Sequence, residues 1–520
     1  MKKITLITAA AIMCSGSAMA GGLLTNTNQN AAFLRNFAQE GQITLTSLYA
    51  NPAGNAFLSP GWHLSLNSQT AFQNRDIATT FPLFSFNAEN RNTTHNFKGE
   101  ATAPVVPSIS LSHNWDRWSL SAHFALTGGG GKCEFDKGLG TFESLYAGKI
   151  YTGVVSSIAD QFGQQYGASY LPFAIANYMG QGMSLAEAQA KAMNEVKQTA
   201  IAYGRENAPK LLQGYNLGAF MRGRSYYFGL QIGGAYKIKE NVSAYLGVRG
   251  LYANCNYFGY VQDVQYTVMG HTANATQTIT TAQGEKEVNA DLSLNCDQTG
   301  FGITPIIGLD WEINKHWNVA AKYEAPTRMS LKNKTEMNEY TNHLATPVLA
   351  DGTVNEDYQP TLGQFADGGK VREDVPAILA LGAEYRLNEK VRFDGAFKTY
   401  FDKSARKYGN KEDLIDHNTW EVALGAEYDC HKLITVSASW MRTCYGLNDA
   451  YMNDLSFNLS SHSLGLGVRI HPSKYFNIDL GYMQTFYQDR TVTQATLAGD
   501  KVDTYSRKNK VFGIGFNVAL

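Results

Sequence analysis

The chain has 520 residues, a formal net charge of -1 and a mean hydropathy of -0.27. No basic excess points to nucleic acid, and the lack of an apolar run of about 18 residues beyond the N-terminal segment excludes a helical membrane protein. Aromatic residues make up 12% of the chain and glycines number 49, a composition that favours strands and turns over helices.

The N-terminal segment, residues 1–20, has the pattern of a secretory signal peptide. Two lysines follow the first methionine, residues 4–13 are apolar but too short to span a bilayer, and Ala18-Met19-Ala20 is a small-residue cleavage site. We therefore expect an exported protein whose fold begins after this segment.

Residues 21–60 show no pair of strands. They are rich in asparagine and glycine and carry two apolar clusters, at Phe33-Leu34 and at Phe57-Leu58. We interpret them as an N-terminal hatch that folds inside a barrel formed by residues 61–520.

From about residue 105 to the C-terminus, strand-like stretches come in pairs joined by a tight polar turn, and a long loop separates each pair from the next. Residues 114–117, Asn-Trp-Asp-Arg, form one such turn. This alternation is typical of a barrel that crosses a membrane, with turns on one side and loops on the other. We predict an all-β fold, a 14-stranded antiparallel transmembrane β-barrel, with strands near 61–73, 105–113, 117–127, 224–237, 242–254, 298–312, 317–329, 374–386, 391–402, 418–428, 433–443, 461–470, 475–487 and 510–520.

Apolar and polar residues alternate within these strands. In the last strand Phe512, Ile514 and Phe516 face one way, while Gly515 and Asn517 face the other. A soluble sandwich has the same period with its apolar face inward, whereas a membrane barrel turns that face to the lipid. Aromatic residues at the strand ends favour the membrane barrel, because such rings form girdles at the headgroups. Near the predicted turns lie Trp62, Trp115, Trp118, Trp311 and Trp317, and near the opposite ends lie Trp420 and Trp440.

The longest loop is predicted over residues 128–223 and is partly helical. A helix begins after Ser184, and Glu187 completes a capping box. One face of this helix is apolar and consists of Leu185, Ala188, Ala192, Met193 and Val196. This face could cover the barrel mouth or line an apolar groove; the alternative that we favour is packing against other residues of the loop.

Five cysteines follow the signal peptide: Cys133, Cys255, Cys296, Cys430 and Cys444. An odd number cannot all pair. Cys255 and Cys296 border one long loop, so a disulfide between them is one alternative and free thiols are the other. None of the spacings is that of a zinc site, and we predict no metal and no cofactor.

The inward-facing strand positions carry charges of both signs, and buried charges must pair or stay hydrated. One interpretation is a network of ion pairs that ties the barrel to the hatch. The other is that one or two cations hold the headgroup of an acid, which guanidinium and ammonium groups bind well. The candidates for this second role are Arg249 and Lys398, followed by Lys322 and Arg392.

Two further motifs are better explained as ordinary loops. Residues 128–131 with Lys132 lack the pattern of a phosphate-binding loop, because Leu126 stands where a glycine is required. The acidic positions around Asp351 lack the central glycine of a calcium loop. We find no arrangement of catalytic residues and predict that the protein is not an enzyme.

Several segments resemble the long-chain fatty-acid transporter (FadL/TodX) family of outer-membrane proteins. Asn51-Pro52-Ala53-Gly54 looks like the hatch signature of that family. Also similar are Pro-Ser-Ile-Ser at 107–110, the third strand with its glycine ending, Asp-Val-Pro-Ala at 374–377, and the number of strands. The chain departs from the family in the long 128–223 loop, in its cysteines and in its last residue.

The resemblance implies a barrel plugged by a hatch, which takes up hydrophobic compounds from outside and releases them sideways beside the third strand, 117–127. In that scheme Gly128 and Gly129 mark the kink where the wall opens. The hatch segment that faces the kink consists of Asn51, Pro52, Ala53 and Gly54. The expected function is passive uptake of hydrophobic compounds, such as long-chain fatty acids, by a monomer in the outer membrane of a Gram-negative bacterium.

The expected partners are the hydrophobic ligand, outer-membrane lipid and lipopolysaccharide, and the barrel assembly machinery, with no role for nucleic acid. Two alternatives use the same barrel: a receptor for haemin or another nutrient, and a surface adhesin or antigen. A shift of the Soret band on haemin titration would support the receptor, whereas an adhesin would use its loops without depending on the hatch.

Overall fold

The computed structural model describes residues 23–281, 284–336 and 363–520. The predicted signal peptide and the acidic positions around Asp351 lie outside these ranges. The described residues form a β-barrel of fourteen strands, three of which continue in a second segment after an interruption. The strands are β1 Gly61–Thr80, β2 Thr94–Asn114, β3 Trp118–Phe135, β4 Leu212–Lys239, β5 Val242–Val268, β6 Leu292–Glu312, β7 Trp317–Glu324 with Ser330–Thr335, β8 Lys370–Arg372 with Ile378–Arg386, β9 Val391–Tyr400, β10 Ile415–His431, β11 Ile434–Leu447, β12 Ser461–Ser473, β13 Phe476–Tyr487 with Arg490–Thr496, and β14 Gly499–Ala519.

The sheet closes on itself because each strand pairs antiparallel with the next and β14 pairs with β1. In the closing ladder Val518 lies opposite Leu64, and Val502 lies opposite Thr80. Short turns join the strands at one end of the barrel, the turn end, and longer segments join them at the other, the loop end. The prediction of a 14-stranded antiparallel barrel is confirmed.

The outer surface of the barrel is apolar, and aromatic residues border it near the turn end. Leu246 is 70% exposed and Phe301 is 63% exposed, although both are large apolar side chains on regular strands. Trp62, Trp118 and Trp311 are exposed near the turn end. An exposed apolar band with an aromatic border is the surface that a barrel presents to lipid, and it excludes the sandwich, whose apolar face would be buried.

Several strands extend further toward the loop end than predicted. β2 begins at Thr94, whereas the alternation predicted a start near 105. In the added part His95 and Phe97 are buried inside, while Lys98 and Glu100 face outward. The apolar face of the strand is thus inward here, opposite to the lipid-facing pattern on which the prediction was based, because this part of the wall meets water.

The loop between β3 and β4 forms a pair of long helices, α1 Gly140–Gly180 and α2 Leu185–Leu211. Both halves of the predicted capping box at Ser184 and Glu187 are present. The predicted apolar face is only partly buried, since Ala188 and Ala192 are covered but Leu185 and Met193 are exposed. The two helices pack on each other, as the favoured alternative expected. Within the described ranges, no helix combines the length and apolar character needed to cross a membrane.

Smaller elements complete the loops and the hatch. The hatch holds one short α-helix, Ala31–Arg35, and the 3-10 turns Leu45–Ser47 and Gly54–Phe57. The loop end holds the 3-10 turns Pro82–Phe86, Gly363–Phe365, Asp402–Ser404 and Tyr408–Leu414, and the short strands His271–Asn274, Thr276–Thr281 and Gly284–Asn289.

Residues 23–60, the hatch, lie inside the barrel and are mostly buried. The helix Ala31–Arg35 begins at Asn30, whose side chain accepts a hydrogen bond of 2.9 Å from the amide of Phe33. Leu34 and Phe37 pack against small and sulfur-containing apolar residues of the inner wall. A local cap and an apolar helix face therefore position the hatch within a mostly polar lumen.

Arg35 is the main ionic anchor of the hatch. Its guanidinium lies 3.0 Å from Glu427 and 2.9 Å from Asp479, and all three side chains are buried. Asn36 adds a hydrogen bond of 2.7 Å to Asp394. Because an unpaired buried ion is costly, hatch and barrel stabilise each other's charges.

The five described cysteines all have free thiols. Cys255 and Cys296 lie on the neighbouring strands β5 and β6, but Cys255 is opposite Gln298 and Cys296 is opposite Tyr257. This two-residue offset separates the thiols, so the alternative of free thiols is the one that the structure has.

Replacing Arg35 by alanine should loosen the hatch, because removing one member of a buried ion pair costs about 3 kcal/mol. We expect faster hydrogen exchange at the amides of residues 30–40, measured by mass spectrometry on the protein in detergent micelles. The matched control is Arg386→Ala, which breaks a pair with Glu384 on the barrel (2.6 Å) and leaves the hatch contacts intact. Unchanged exchange over residues 30–40 in Arg35→Ala would contradict the anchor role.

Candidate functional site: a gap in the barrel wall

The ladder between β2 and β3 is interrupted. Glu100 pairs with Glu134 and Ile109 pairs with Phe124, but residues 101–108 and 125–133 between these pairs do not pair with each other. We call these two unpaired stretches the wall gap. On its other side β3 stays paired with β4, apart from register shifts around Gly128.

Local sequence explains why the ladder stops here. On β2, Pro104 and Pro107 have no N–H to donate, and proline is rarely found inside a paired strand. On β3, Gly129 has a φ of +91° and Gly131 a φ of +72°, a left-handed conformation that favours glycine. Each strand thus lacks, at the same level, the geometry needed to continue the ladder.

A cavity of about 270 Å³ occupies the wall gap. It is lined on the lumen side by Ala71 and Gln73 and on the outer side by Val105, Phe124 and Leu126. The cavity therefore passes between β2 and β3, and most of its lining is apolar. Such a passage can admit an apolar molecule from the lumen to the lipid-facing surface.

The first described residues of the hatch are bound to β3 at the wall gap. The Asn26 amide donates to the Thr127 carbonyl at 3.0 Å, and the Gly129 amide donates to the Leu24 carbonyl at 3.3 Å. Thr25 forms a bridge with Gly128. Residues 24–26, which we call the latch, thus satisfy part of the backbone of β3 that β2 leaves unpaired.

The latch is held under conformational strain. Leu24 has a φ of +70°, a left-handed conformation that costs a residue other than glycine about 1–2 kcal/mol. A Cβ at Gly128 would lie 2.0 Å from the Leu24 carbonyl oxygen, so only glycine allows this approach. The predicted residues Gly128 and Gly129 thus lie at the break in the wall, whereas no pattern in the sequence indicated the latch.

The predicted hatch residues do not lie at the kink of β3; these are Asn51, Pro52, Ala53 and Gly54. Asn51 hydrogen-bonds to the buried carboxylate of Asp310, on β6. The Ala53 carbonyl accepts a hydrogen bond of 2.7 Å from Ser243, on β5. The expectation that this segment faces the kink of β3 is therefore wrong: it is anchored to β5 and β6 near the turn end, and the latch is the part that contacts the kink.

Two of the predicted lumen cations meet at one carboxylate. Arg249 lies 2.6 Å and Lys322 lies 2.7 Å from Glu324. Lys322 also donates to the Tyr49 carbonyl at 2.6 Å, and both cations lie 4.5 Å from the centre of the Tyr49 ring. Since Tyr49 belongs to the hatch, this cluster joins the hatch to β5 and β7.

The other two predicted cations are also ion-paired. Lys398 lies 3.0 Å from Glu40 of the hatch and 3.8 Å from Glu421. Arg392 contacts two carboxylates of β10, at 3.1 and 2.8 Å. Lys322 and Lys398 line a common cavity of about 20 Å³, which is room for little more than one water molecule. These contacts form the network between barrel and hatch that the first interpretation described.

In the ranges 23–281, 284–336 and 363–520, no three His, Cys, Asp or Glu side chains are placed to hold a metal ion. The predicted acidic loop around Asp351 is outside these ranges.

Solved structures with a similar architecture come from several bacteria. A FadL homologue of Pseudomonas aeruginosa is 14% identical, covers 96% of this chain and 100% of its own, and has a TM-score of 0.58. The toluene transporters TodX of P. putida and TbuX of Ralstonia pickettii are each 12% identical, cover 94% of this chain and 99% of their own, and have TM-scores of 0.48. The chain thus has the fold of the FadL homologue, as the resemblance implied. No protein-family model and no curated protein matches it.

Replacing Gly128 by alanine should release the latch, because the new Cβ would overlap the Leu24 carbonyl oxygen. We expect the Asn26 amide to lose its protection against hydrogen exchange while amides of β12 keep theirs. The control is Gly395→Ala on β9, where the nearest atom, Leu424 Cδ2, is 3.8 Å away, an ordinary contact. Equal protection of Asn26 in both variants would show that the latch does not depend on Gly128.

Proposed function

We propose that this chain is a passive channel of the Gram-negative outer membrane, which takes up hydrophobic compounds and releases them sideways through the wall gap. The observation that carries the proposal is the apolar cavity between β2 and β3, lined from both faces of the wall. The lipid-facing outer surface and the fold of the FadL homologue support the same function.

Energetics favour the sideways route over a route along the barrel axis. The hatch fills the lumen with buried polar groups, such as Arg35 and Asn36, and beyond it lies water. A hydrophobic compound that passes through the wall gap stays in contact with apolar groups and enters the bilayer. Each Å² of apolar surface kept from water contributes about 25 cal/mol, so the lateral path is the one that a hydrophobic compound follows downhill.

In the proposal the latch is the gate. It is bound to β3 beside the wall gap through a few hydrogen bonds to residues 126–129, and the strain at Leu24 lowers the cost of releasing it. The predicted gating role of Asn51, Pro52 and Ala53 stays a prediction. Their bonds to Asp310 and Ser243 need to break only if the turn-end part of the hatch also moves.

Long-chain fatty acids are the substrate that we propose within this class. In the closed state Arg249, Lys322, Arg392 and Lys398 are occupied by carboxylates of the protein. A role in holding the acid headgroup therefore requires a hatch movement, and Lys398 is the clearest case because Glu40, its partner, belongs to the hatch. The haemin receptor and the adhesin stay alternative predictions, and a haemin titration tests the first of them.

Filling the wall gap should abolish uptake. Ala103 lines the cavity, and in Ala103→Trp the indole would occupy the passage. We expect uptake of radiolabelled oleate by cells that express the variant to fall to the rate of cells without the protein. The control is Leu466→Trp, on the lipid-facing side of β12, where Leu466 is exposed.

Both variants should reach the cell surface in equal amounts. An immunoblot that distinguishes the folded barrel from the heat-unfolded protein measures these amounts. If cells with the Ala103→Trp variant take up oleate at the rate of cells with the wild-type protein, lateral release is contradicted. Equal uptake by cells with and without the wild-type protein would overturn the channel itself.

A further inference from the structure

Two buried arginines face each other across the seam where the barrel closes. Arg75 on β1 is directly opposite Arg507 on β14, and their exposed fractions are 4% and 5%. The pair two residues nearer the turn end, Gln73 and Asn509, lines the cavity of the wall gap. Strand residues rise about 3.3 Å each, so the arginine pair lies roughly 7 Å from this part of the cavity.

Arg75 differs from six other cations of the lumen. A carboxylate of the barrel or hatch lies within ion-pair distance of each of Arg35, Arg249, Lys322, Arg392, Lys398 and Arg469. Among the described residues, no ion pair includes Arg75, and its Nη2 atom is buried without a hydrogen-bond acceptor. Its strongest electrostatic neighbours are Arg507, Cys133, Tyr487 and Tyr445, none of which is a carboxylate.

The surroundings of the pair are aromatic. The Arg75 guanidinium lies 5.3 Å from the centre of the Phe457 ring, and that of Arg507 lies 4.8 Å from the centre of the Tyr487 ring. Such rings support a cation but carry no net charge, so they do not pair with Arg75 as a carboxylate would. An anion beside the Arg75 guanidinium, within reach of Arg507 on the neighbouring strand, would supply that charge and bind through charge-assisted hydrogen bonds.

We infer that Arg75 and Arg507 form the binding site for the carboxylate of an amphipathic acid whose apolar chain lies in the wall gap. The inference rests on the proposed function and refines it. The headgroup site is on the seam beside the gap, away from Arg249 and Lys398, and the channel prefers acids to neutral compounds with the same chain. A guanidinium suits a carboxylate because its planar N–H groups match the two oxygen atoms.

Binding of decanoate and of decan-1-ol tests this site, because the two probes differ only in the headgroup. The full chain in lipid nanodiscs is dialysed to equilibrium against each radiolabelled probe, with empty nanodiscs as the reference for partition into lipid. We expect the wild-type protein to bind decanoate more tightly than decanol. Arg75→Gln and Arg507→Gln should each weaken decanoate binding about 10- to 100-fold, as expected for the loss of a charged hydrogen bond, and leave decanol binding unchanged.

Two variants control for charge and for folding. Arg75→Lys keeps the cation and should retain the preference for decanoate. Lys508→Gln removes a charge next to Arg507 on the exposed outer face of β14 and should bind both probes as the wild type does. Hydrogen exchange at the amides of β1 and β14 shows whether these two strands stay paired in each glutamine variant.

The outcomes separate this inference from the proposed function. Equal affinity of the wild-type protein for both probes, or an equal loss of both in Arg75→Gln, overturns the carboxylate site. If oleate uptake through the wild-type protein is observed in that case, the channel function stands without it. If neither probe binds and no uptake occurs, both the site and the channel are overturned.

Discussion

The constraint on which the structure depends is that backbone groups in contact with lipid need hydrogen-bond partners within the protein. Among the described residues, the longest break in pairing between neighbouring strands β2 and β3 lies at residues 101–108 and 125–133. At that break the latch supplies partners to β3. The position of the hatch and the position of the wall gap are therefore linked, because the hydrogen bonds that hold the latch are made to the part of β3 that β2 leaves unpaired.

Charge organises the lumen in a similar way. The inner wall carries carboxylates and cations that are buried once the hatch is in place, and the hatch supplies several of the counter-ions. Arg35 pairs with Glu427 and Asp479, and Glu40 pairs with Lys398. A hatch that is held by buried ion pairs resists general loosening, whereas the latch is held by backbone bonds and strained at Leu24. In the proposed mechanism, this contrast allows a local opening at the wall gap while the rest of the hatch stays in place.

The accuracy of the sequence predictions depended on how local the underlying interactions are. The capping box of Ser184 and Glu187 involves only neighbouring residues and was predicted correctly. Helix α1 was missed because its apolar residues do not repeat on one face and part of it is buried by other loops. The outer part of β2 was missed because its alternation is inverted above the membrane. For Asn51 the residue signature identified a hatch segment, but its partner Asp310 is about 260 residues away, and no local pattern encodes that contact.

By itself, the sequence determined the class of the protein: an antiparallel membrane barrel of fourteen strands with an internal N-terminal hatch. This was possible because period-2 alternation, turn residues and aromatic girdles are local consequences of burying one strand face in lipid. Only the tertiary structure decided where the ladder between β2 and β3 is interrupted, that residues 24–26 bond to β3 there, which cations are already paired, and that Arg75 lies opposite Arg507. These features depend on register between strands and on contacts across the lumen, which join residues distant in the chain.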